Sequence, residues 1–405
     1  MTRTESKPVD TYTPLYFLAS LGAGGLAVTF FMYLMFWVPH TGQPVPVFED
    51  LMAVFETGGM ASQIAVVIAV VGIAVFAFLN VKLLIWNVKS LLSFRKTSAY
   101  QTLRCSNGET TLLAGPLAAA MTVNAMFIVG LVFVPGLWQV VEYLFPMALV
   151  TFLAIGLWAF LLIGDFLGRV LTKGGVFDVT AHNSFAQLLP AFALAMVAVG
   201  LSAPAAMSGN VVTTGTALIL STFFGTAAIL YTVVASVTAF SSMLHYGTAR
   251  EAGPTLMVIV PIMTVLGIMF MRQSHGLHVS FGLHDTAGDT MMFLARLLSV
   301  QILFVLLGLL VLRRQGYFTD YVFGEKVSAG SYALVCPGVA LSVMLHFFIN
   351  KGLVAAGLVA KFGIAYWGLT AIALVAQVMM IALVLRLNRQ HFSSKSLPQK
   401  LVPAA

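Results

Sequence analysis

Hydrophobic residues run along this chain in long blocks, not in the alternation of a strand or the narrow stripe of a soluble helix, and short polar or Gly/Pro-bearing breaks separate them. A helix needs about 20 apolar residues to cross a hydrocarbon core. Ten blocks meet that length, at 14–38, 61–86, 112–134, 138–168, 184–205, 211–240, 253–271, 290–312, 330–349 and 358–386. The pattern predicts an all-α integral membrane protein with ten transmembrane helices. Connections are short, so the expected organisation is a polar tail over 1–13, one transmembrane domain over 14–386 and a second tail over 387–405. The block after Met1–Asp10 is too long for a secretory signal and lacks its small-residue cleavage site, which predicts that it stays in the mature chain.

Breaks inside the odd-numbered blocks recur at a nearly constant interval. The first block holds Gly22, Gly24 and Gly25, the third Gly115-Pro116, the fifth Pro190, the seventh Pro261 and the ninth Pro337-Gly338. The intervals from Pro116 to Pro190, from Pro190 to Pro261 and from Pro261 to Pro337 are 74, 71 and 76 residues, the length of one helical hairpin. A proline inside a helix removes a backbone hydrogen bond and clashes with the preceding turn. At bilayer depth such a break is tolerated where the freed groups face protein or a water-filled cavity. The even blocks carry long Leu, Val, Ile and Phe runs suited to lipid. The expected architecture is therefore five hairpins around a central pore, with odd helices inner and even helices outer. Close packing on small residues is the competing reading for the glycines.

Composition agrees with the blocks. The chain is 60% hydrophobic and 9% charged, with a mean hydropathy of +0.97, whereas soluble domains are about a quarter charged. The net charge of +7 is bunched. No soluble segment is long enough to be a basic nucleic-acid-binding domain, so no nucleic-acid partner is expected. Of the 21 lysines and arginines, 17 fall at one set of helix ends: Arg3, Lys7, Lys82, Lys89, Arg95, Lys96, Arg104, Arg169, Lys173, Arg250, Arg313, Arg314, Lys326, Arg386, Arg389, Lys395 and Lys400. Arg272, Lys351 and Lys361 fall in the opposite connections and Arg296 just inside the eighth block. By the positive-inside rule both termini are cytoplasmic. The first outer loop, His40–Gly59, carries Glu49, Asp50 and Glu56 and no basic residue, and reads as a cap. The basic connection Lys89–Thr111 either draws anions to the inner mouth or only fixes topology. Cys105 and Cys336 are expected to be free thiols.

The stretch Gly174-Gly175-Val176-Phe177, then His182, Ser184-Phe185 and Pro190, with Tyr16-Phe17, Pro261, Ala333 and Pro337, resembles the tellurite-resistance/dicarboxylate transporter family. That family includes bacterial TehA, slow-type anion channels of plant guard cells, fungal malate permeases and sulfite exporters. The resemblance spans all ten helices. It implies a ring of five hairpins, a homotrimer with a pore in each subunit, and a bacterial inner-membrane location. It also implies a phenylalanine plug in the ninth helix of channel members. Aligned on the following proline, the plug position falls on Cys336, a departure from the pattern. Tyr332, one turn earlier on the same face, and Phe192, two residues after Pro190, are substitute gate candidates. Packing within the bundle is the competing role for both.

Candidate chemistry is sparse. An anion crossing the bilayer must exchange its hydration for protein dipoles, and fixed cations deep in a pore would hold it too tightly. Small apolar residues and half-helix dipoles suit weak contact, and no Lys or Arg is expected near the centre of an odd helix. Intramembrane amide and ionisable groups earn a functional hypothesis by default. Asn124, Gln187 and His346 are thus candidate solute contacts, with helix-to-helix hydrogen bonds as the alternative. Asp165 and Gln301 lie on even helices, where structural contacts are expected. His275, His278, His284, Asp285 and Asp289 are expected in a solvated loop and complete no recognised metal pattern. Only His346 and His245 could serve a haem, and no P-loop, nucleophile elbow or His-Glu-x-x-His run occurs. Neither enzyme activity nor a cofactor is expected. The sequence points to a channel or passive transporter of small anions within the lipid bilayer. A proton-coupled permease for a dicarboxylate or a sulfur or tellurium oxyanion is the first alternative, and a structural or redox membrane subunit without a pore is the second.

Overall fold

A computed structural model of the chain describes residues 11–173, 177–178, 180, 184–283 and 286–392. Gly174, Gly175, Val176, His182, Asn183, His284 and Asp285 lie outside the described residues. Among the described residues there is no strand, and ten helices are long and apolar enough to cross a membrane. They are Pro14–Trp37, Met60–Phe94, Asn107–Phe133, Leu137–Lys173, Phe185–Met207, Val211–Tyr246, Gly253–Phe281, Ala287–Arg314, Ala329–Val354 and Ile364–Phe392. They are called the first to tenth spans below. The chain is a multi-pass membrane protein.

Several boundaries differ from the sequence reading: the second span continues past 86 to Phe94, which takes Lys89 into the helix, and the third, fourth, sixth and ninth spans are also longer than read. The seventh span continues to Phe281, so Arg272, His275 and His278 lie on a helix and not in a connection or a solvated loop. The helix ends where Gly282 takes the left-handed conformation (φ 72°) that relieves its terminal carbonyls. The tenth span starts at Ile364 and not 358, because the preceding turn runs through Gly357 and Phe362 at positive φ. It also continues six residues past 386, to Phe392.

Burial separates the two sets of spans. Half to 94% of the most apolar 18-residue stretch is buried in the odd spans, against 22% to 39% in the even ones. Faces bearing Val67, Val71, Val75 and Phe78, or Leu303, Leu306 and Leu310, lie exposed. In water such faces would drive association; in a bilayer lipid tails meet them. Each odd span packs along the even span that follows it. The first span also packs against the third and ninth, the third against the fifth, the fifth against the seventh, and the seventh against the ninth.

Several polar side chains inside these interfaces bond the backbone of a neighbouring helix, where an unsatisfied group in hydrocarbon would cost several kcal/mol. Asn80 donates to the Ser20 carbonyl at 2.8 Å while Ser20 donates to the Asn80 carbonyl at 2.9 Å, tying the second span to the first. Gln301 donates to the Val260 carbonyl at 2.9 Å, tying the eighth to the seventh. Small residues allow the close approaches. A Cβ on Gly22 or Gly25 would fall within 2.9 Å of Val335 or 2.8 Å of Val339, so both glycines seat the ninth span against the first.

Candidate functional site

Every odd span begins in the same way. A 3-10 segment precedes the α-helix proper: Pro14–Tyr16, Asn107–Leu113, Phe185–Leu188, Gly253–Met257 and Ala329–Leu334. Four of the five open on a hydroxyl that accepts from the backbone N–H two residues on: Thr13, Ser106, Ser184 and Ser328. Ala252 holds the fifth position and has no side chain to do so. The α-helices then start at Phe17, Ala114, Leu189, Ile259 and Val335, which puts Pro116, Pro190, Pro261 and Pro337 in the first turn. There a missing N–H costs little, because the first turn has no full set of intrahelical partners. The prolines therefore mark a change from 3-10 to α winding near one end of each span, not a break at its middle. The first span has its proline, Pro14, in the 3-10 segment, and its α-helix from Phe17 runs uninterrupted through Gly22, Gly24 and Gly25.

Above these turns the odd spans part to enclose a cavity of about 1050 Å³. All five contribute to its wall, through residues such as Gly25, Asn124, Met196, Thr264 and Val339, and it reaches His40, Gln43, Thr286 and Ala355 in the connections of one face. Its lining stops in the other direction at Leu21, Gly22, Phe192, Pro261 and Cys336. Beyond that level Leu18, Leu117, Leu188, Leu189, Ile259 and Val335 are each at most 5% exposed, so water does not pass. The site is a one-sided chamber whose floor lies near the 3-10 segments.

The expected site residues divide between chamber and packing. Gly22, Gly25, Pro261, Phe192, Cys336 and Asn124 line the chamber. Gly24 faces Met121 and Asn80, Gly115 faces Trp158, and Gly338 faces Met380, so these three seat neighbouring helices. Pro116, Pro190 and Pro337 are buried in their first turns. Tyr332 is fully buried away from the chamber. Its hydroxyl donates to Asn388 Oδ1 at 2.8 Å, and its ring lies 5.2 Å from that of His391. Half-buried Asn124 donates to the Ala120 carbonyl at 3.0 Å, a bond within its own helix. Gln187 sits half-buried in the 3-10 turn ahead of the fifth span. His346 is packed among Tyr33, Phe36 and Trp37, off the chamber wall.

The chamber's charged groups are the residues that sequence reasoning had assigned to connections. Arg272, 14th in the α-helix that starts at Ile259, lines the wall and donates from Nη1 to the Val199 carbonyl at 2.7 Å. One turn on is His275, whose charged neighbours are Lys351 and His278; all three reach the chamber. Asp289 borders the mouth, where its carboxylate accepts from the Thr286 hydroxyl and caps the eighth span. Among the described residues no carboxylate forms an ion pair with Arg272 or Lys351. The chamber is apolar in depth and cationic part-way up.

No family model, curated protein or solved structure matches the chain. The chamber thus carries the functional reading by its own chemistry.

A second charged cluster, unmarked by any motif, lies at the opposite face. Glu109, only 2% exposed, pairs with Arg104 at 3.1 Å and with Arg169 at 2.5 Å, and Arg104 also pairs with Asp165 at 3.0 Å. It ties the third span's 3-10 turn to the end of the fourth. Losing one partner of such a buried pair costs about 3–5 kcal/mol, so this is a structural clamp.

Proposed function

We propose that this protein is an anion channel or passive transporter, built like the tellurite-resistance/dicarboxylate transporters as five helical hairpins around a pore. The observation that carries the reading is a chamber walled by all five odd spans, in which Arg272 and Lys351 are cations with no ion-pair partner among the described residues. The pairwise packing of odd spans and their deeper burial support an inner ring of odd helices and an outer ring of even ones. The distribution of lysine and arginine supports cytoplasmic termini, and a bacterial inner membrane belongs to the proposal through the family resemblance. A homotrimer with one pore in each subunit belongs to the same proposal.

In this reading the described state is closed. Phe192 is the largest side chain at the chamber floor, and its neighbours there are Gly22, Leu21, Pro261 and Cys336. Rotation of this ring deepens the chamber, and the buried layer beneath it, Leu18, Leu117, Leu188, Leu189, Ile259 and Val335, must part as well, so Phe192 is proposed as the upper part of the gate. Cys336 is a small floor residue and Tyr332 a packing residue. Arg272 stands eleven residues beyond Pro261, about 16 Å along the helix, so it meets an anion in the chamber and not at the constriction. A cation at that height raises the local anion concentration without trapping the ion at the narrowest point.

Liposomes containing only this protein, loaded and diluted across a panel of chloride, nitrate, malate and sulfite, test the reading. The expected result is flux down each permeant anion's own gradient, unchanged by an imposed pH gradient. Uptake that collapses with the proton gradient would move the assignment to a coupled permease. No flux of any anion would leave a membrane subunit without a pore.

A further inference from the structure

The walls of the chamber do not suit a small hydrated ion alone. Its volume of about 1050 Å³ is at the upper end of the ~300–1,000 Å³ typical of sites that enclose whole organic ligands. Between the floor and Arg272 the wall is formed by large apolar and polarisable side chains, among them Phe31, Met32, Met121, Phe152 and Met196. Methionine and phenylalanine attract apolar matter and re-pack around varied shapes; they offer nothing to chloride. Arg272 is held by its bond to the Val199 carbonyl, which orients the guanidinium at the chamber wall. A guanidinium binds a carboxylate in a planar fork that an ammonium does not match.

We propose that the chamber takes organic anions with an apolar body, aliphatic or aryl monocarboxylates of medium length, with the carboxylate at Arg272 and the body along the Met/Phe wall toward Phe192. The inference deepens the anion-transport reading by naming the substrate class, and it rests on that reading for its physiological meaning. Lys351 adds positive potential on the mouth side of the carboxylate, and Asp289 lies further out at the mouth. A small dicarboxylate carries a second charge where the Met/Phe wall calls for an apolar body, so apolar monocarboxylates are preferred over it.

Binding is measured on delipidated protein reinserted in nanodiscs of neutral lipid, by calorimetry with acetate, butyrate, hexanoate and octanoate, and with octanol and malate as comparators. Affinity is expected to rise about fourfold per added methylene, the factor that corresponds to burying a CH₂ group. Octanol and malate are expected to bind at least tenfold more weakly than octanoate. Arg272→Gln is expected to erase the difference between octanoate and octanol while leaving octanol binding in place. Arg272→Lys, which keeps the charge without the fork, is expected to restore part of it. Affinity independent of chain length, or equal for octanoate and octanol in the unaltered protein, overturns the proposal without need of a variant. So does a tightly held phospholipid found by mass spectrometry that octanoate does not displace. The two readings fail separately: chloride flux without octanoate binding removes the substrate class alone, and octanoate binding without any anion flux removes transport alone.

Discussion

Phe192 and Tyr332 show how one side-chain type can stand on either side of the boundary between path and packing. Both are aromatic, both lie close to a proline of an odd span, and both are buried. Phe192 borders the chamber floor, whereas Tyr332 spends its hydroxyl on Asn388 and its ring on Tyr16 and His391. Phe192→Ala should therefore raise anion flux per folded molecule several-fold in liposomes, alongside the stability cost of truncating a buried aromatic. Tyr332→Ala should leave flux per folded molecule unchanged and lower the melting temperature in detergent, since a buried aromatic truncated to alanine costs about 3–5 kcal/mol. A Phe192→Ala protein with unaltered flux would remove the gate from this position. The same contrast explains what sequence could show about the site. Gly22 and Gly25 were legible as small residues in an inner helix. Whether a glycine opens a path or admits a neighbour's valine depends on which helix lies opposite, and no local pattern encodes that.

At the scale of elements, the ten spans were legible because a bilayer demands long apolar runs, and nothing else in the chain is long enough to compete. Span ends were less so. The seventh span carries a polar stretch, Arg272-Gln273-Ser274-His275, that reads as loop, yet Gln273 donates to Ser221 at 2.8 Å and Arg272 to Val199, so the helix continues with its polar face satisfied by its neighbours. The hydroxyl ahead of four of the five odd spans was present in the sequence as Thr13, Ser106, Ser184 and Ser328. Its distance to the following proline varies, which hid the repeat. Between elements, Asp320 joins two connections: it accepts from Lys326 at 2.7 Å and pairs with Arg250 at 2.8 Å. The Lys326 hydrogen bond, helped by Arg250 and opposed by partial burial, holds the Asp320 carboxyl below its ordinary value of 3.8. A carboxyl depressed in the folded state stabilises above its unfolded value and loses that contribution as the pH falls through the folded one. The melting temperature of Asp320→Asn should accordingly lie below that of the unaltered protein at neutral pH, with the gap closing as the pH drops beneath about 4. A gap that stayed constant through that range would exclude the carboxylate as its source.

For the whole molecule, the proposed orientation has a direct check. Cys105 is exposed on the basic face and Cys336 is buried at the chamber floor. In a Cys336→Ser background, a membrane-impermeant maleimide should label Cys105 in inside-out vesicles and not in right-side-out ones. The reverse pattern would invert the topology drawn from lysine and arginine. Membrane class and span number followed from the sequence, while the chamber's one-sidedness did not, because it arises from how five 3-10 turns converge. That closure shapes the electric field. A chamber filled with solvent stays near the potential of the bath it opens to, so the transmembrane voltage falls mainly across the short sealed layer below Phe192. One elementary charge crossing that layer exchanges nearly the full ~2.3 kcal/mol per 100 mV, and a few ångströms of protein do the electrical work of a whole bilayer.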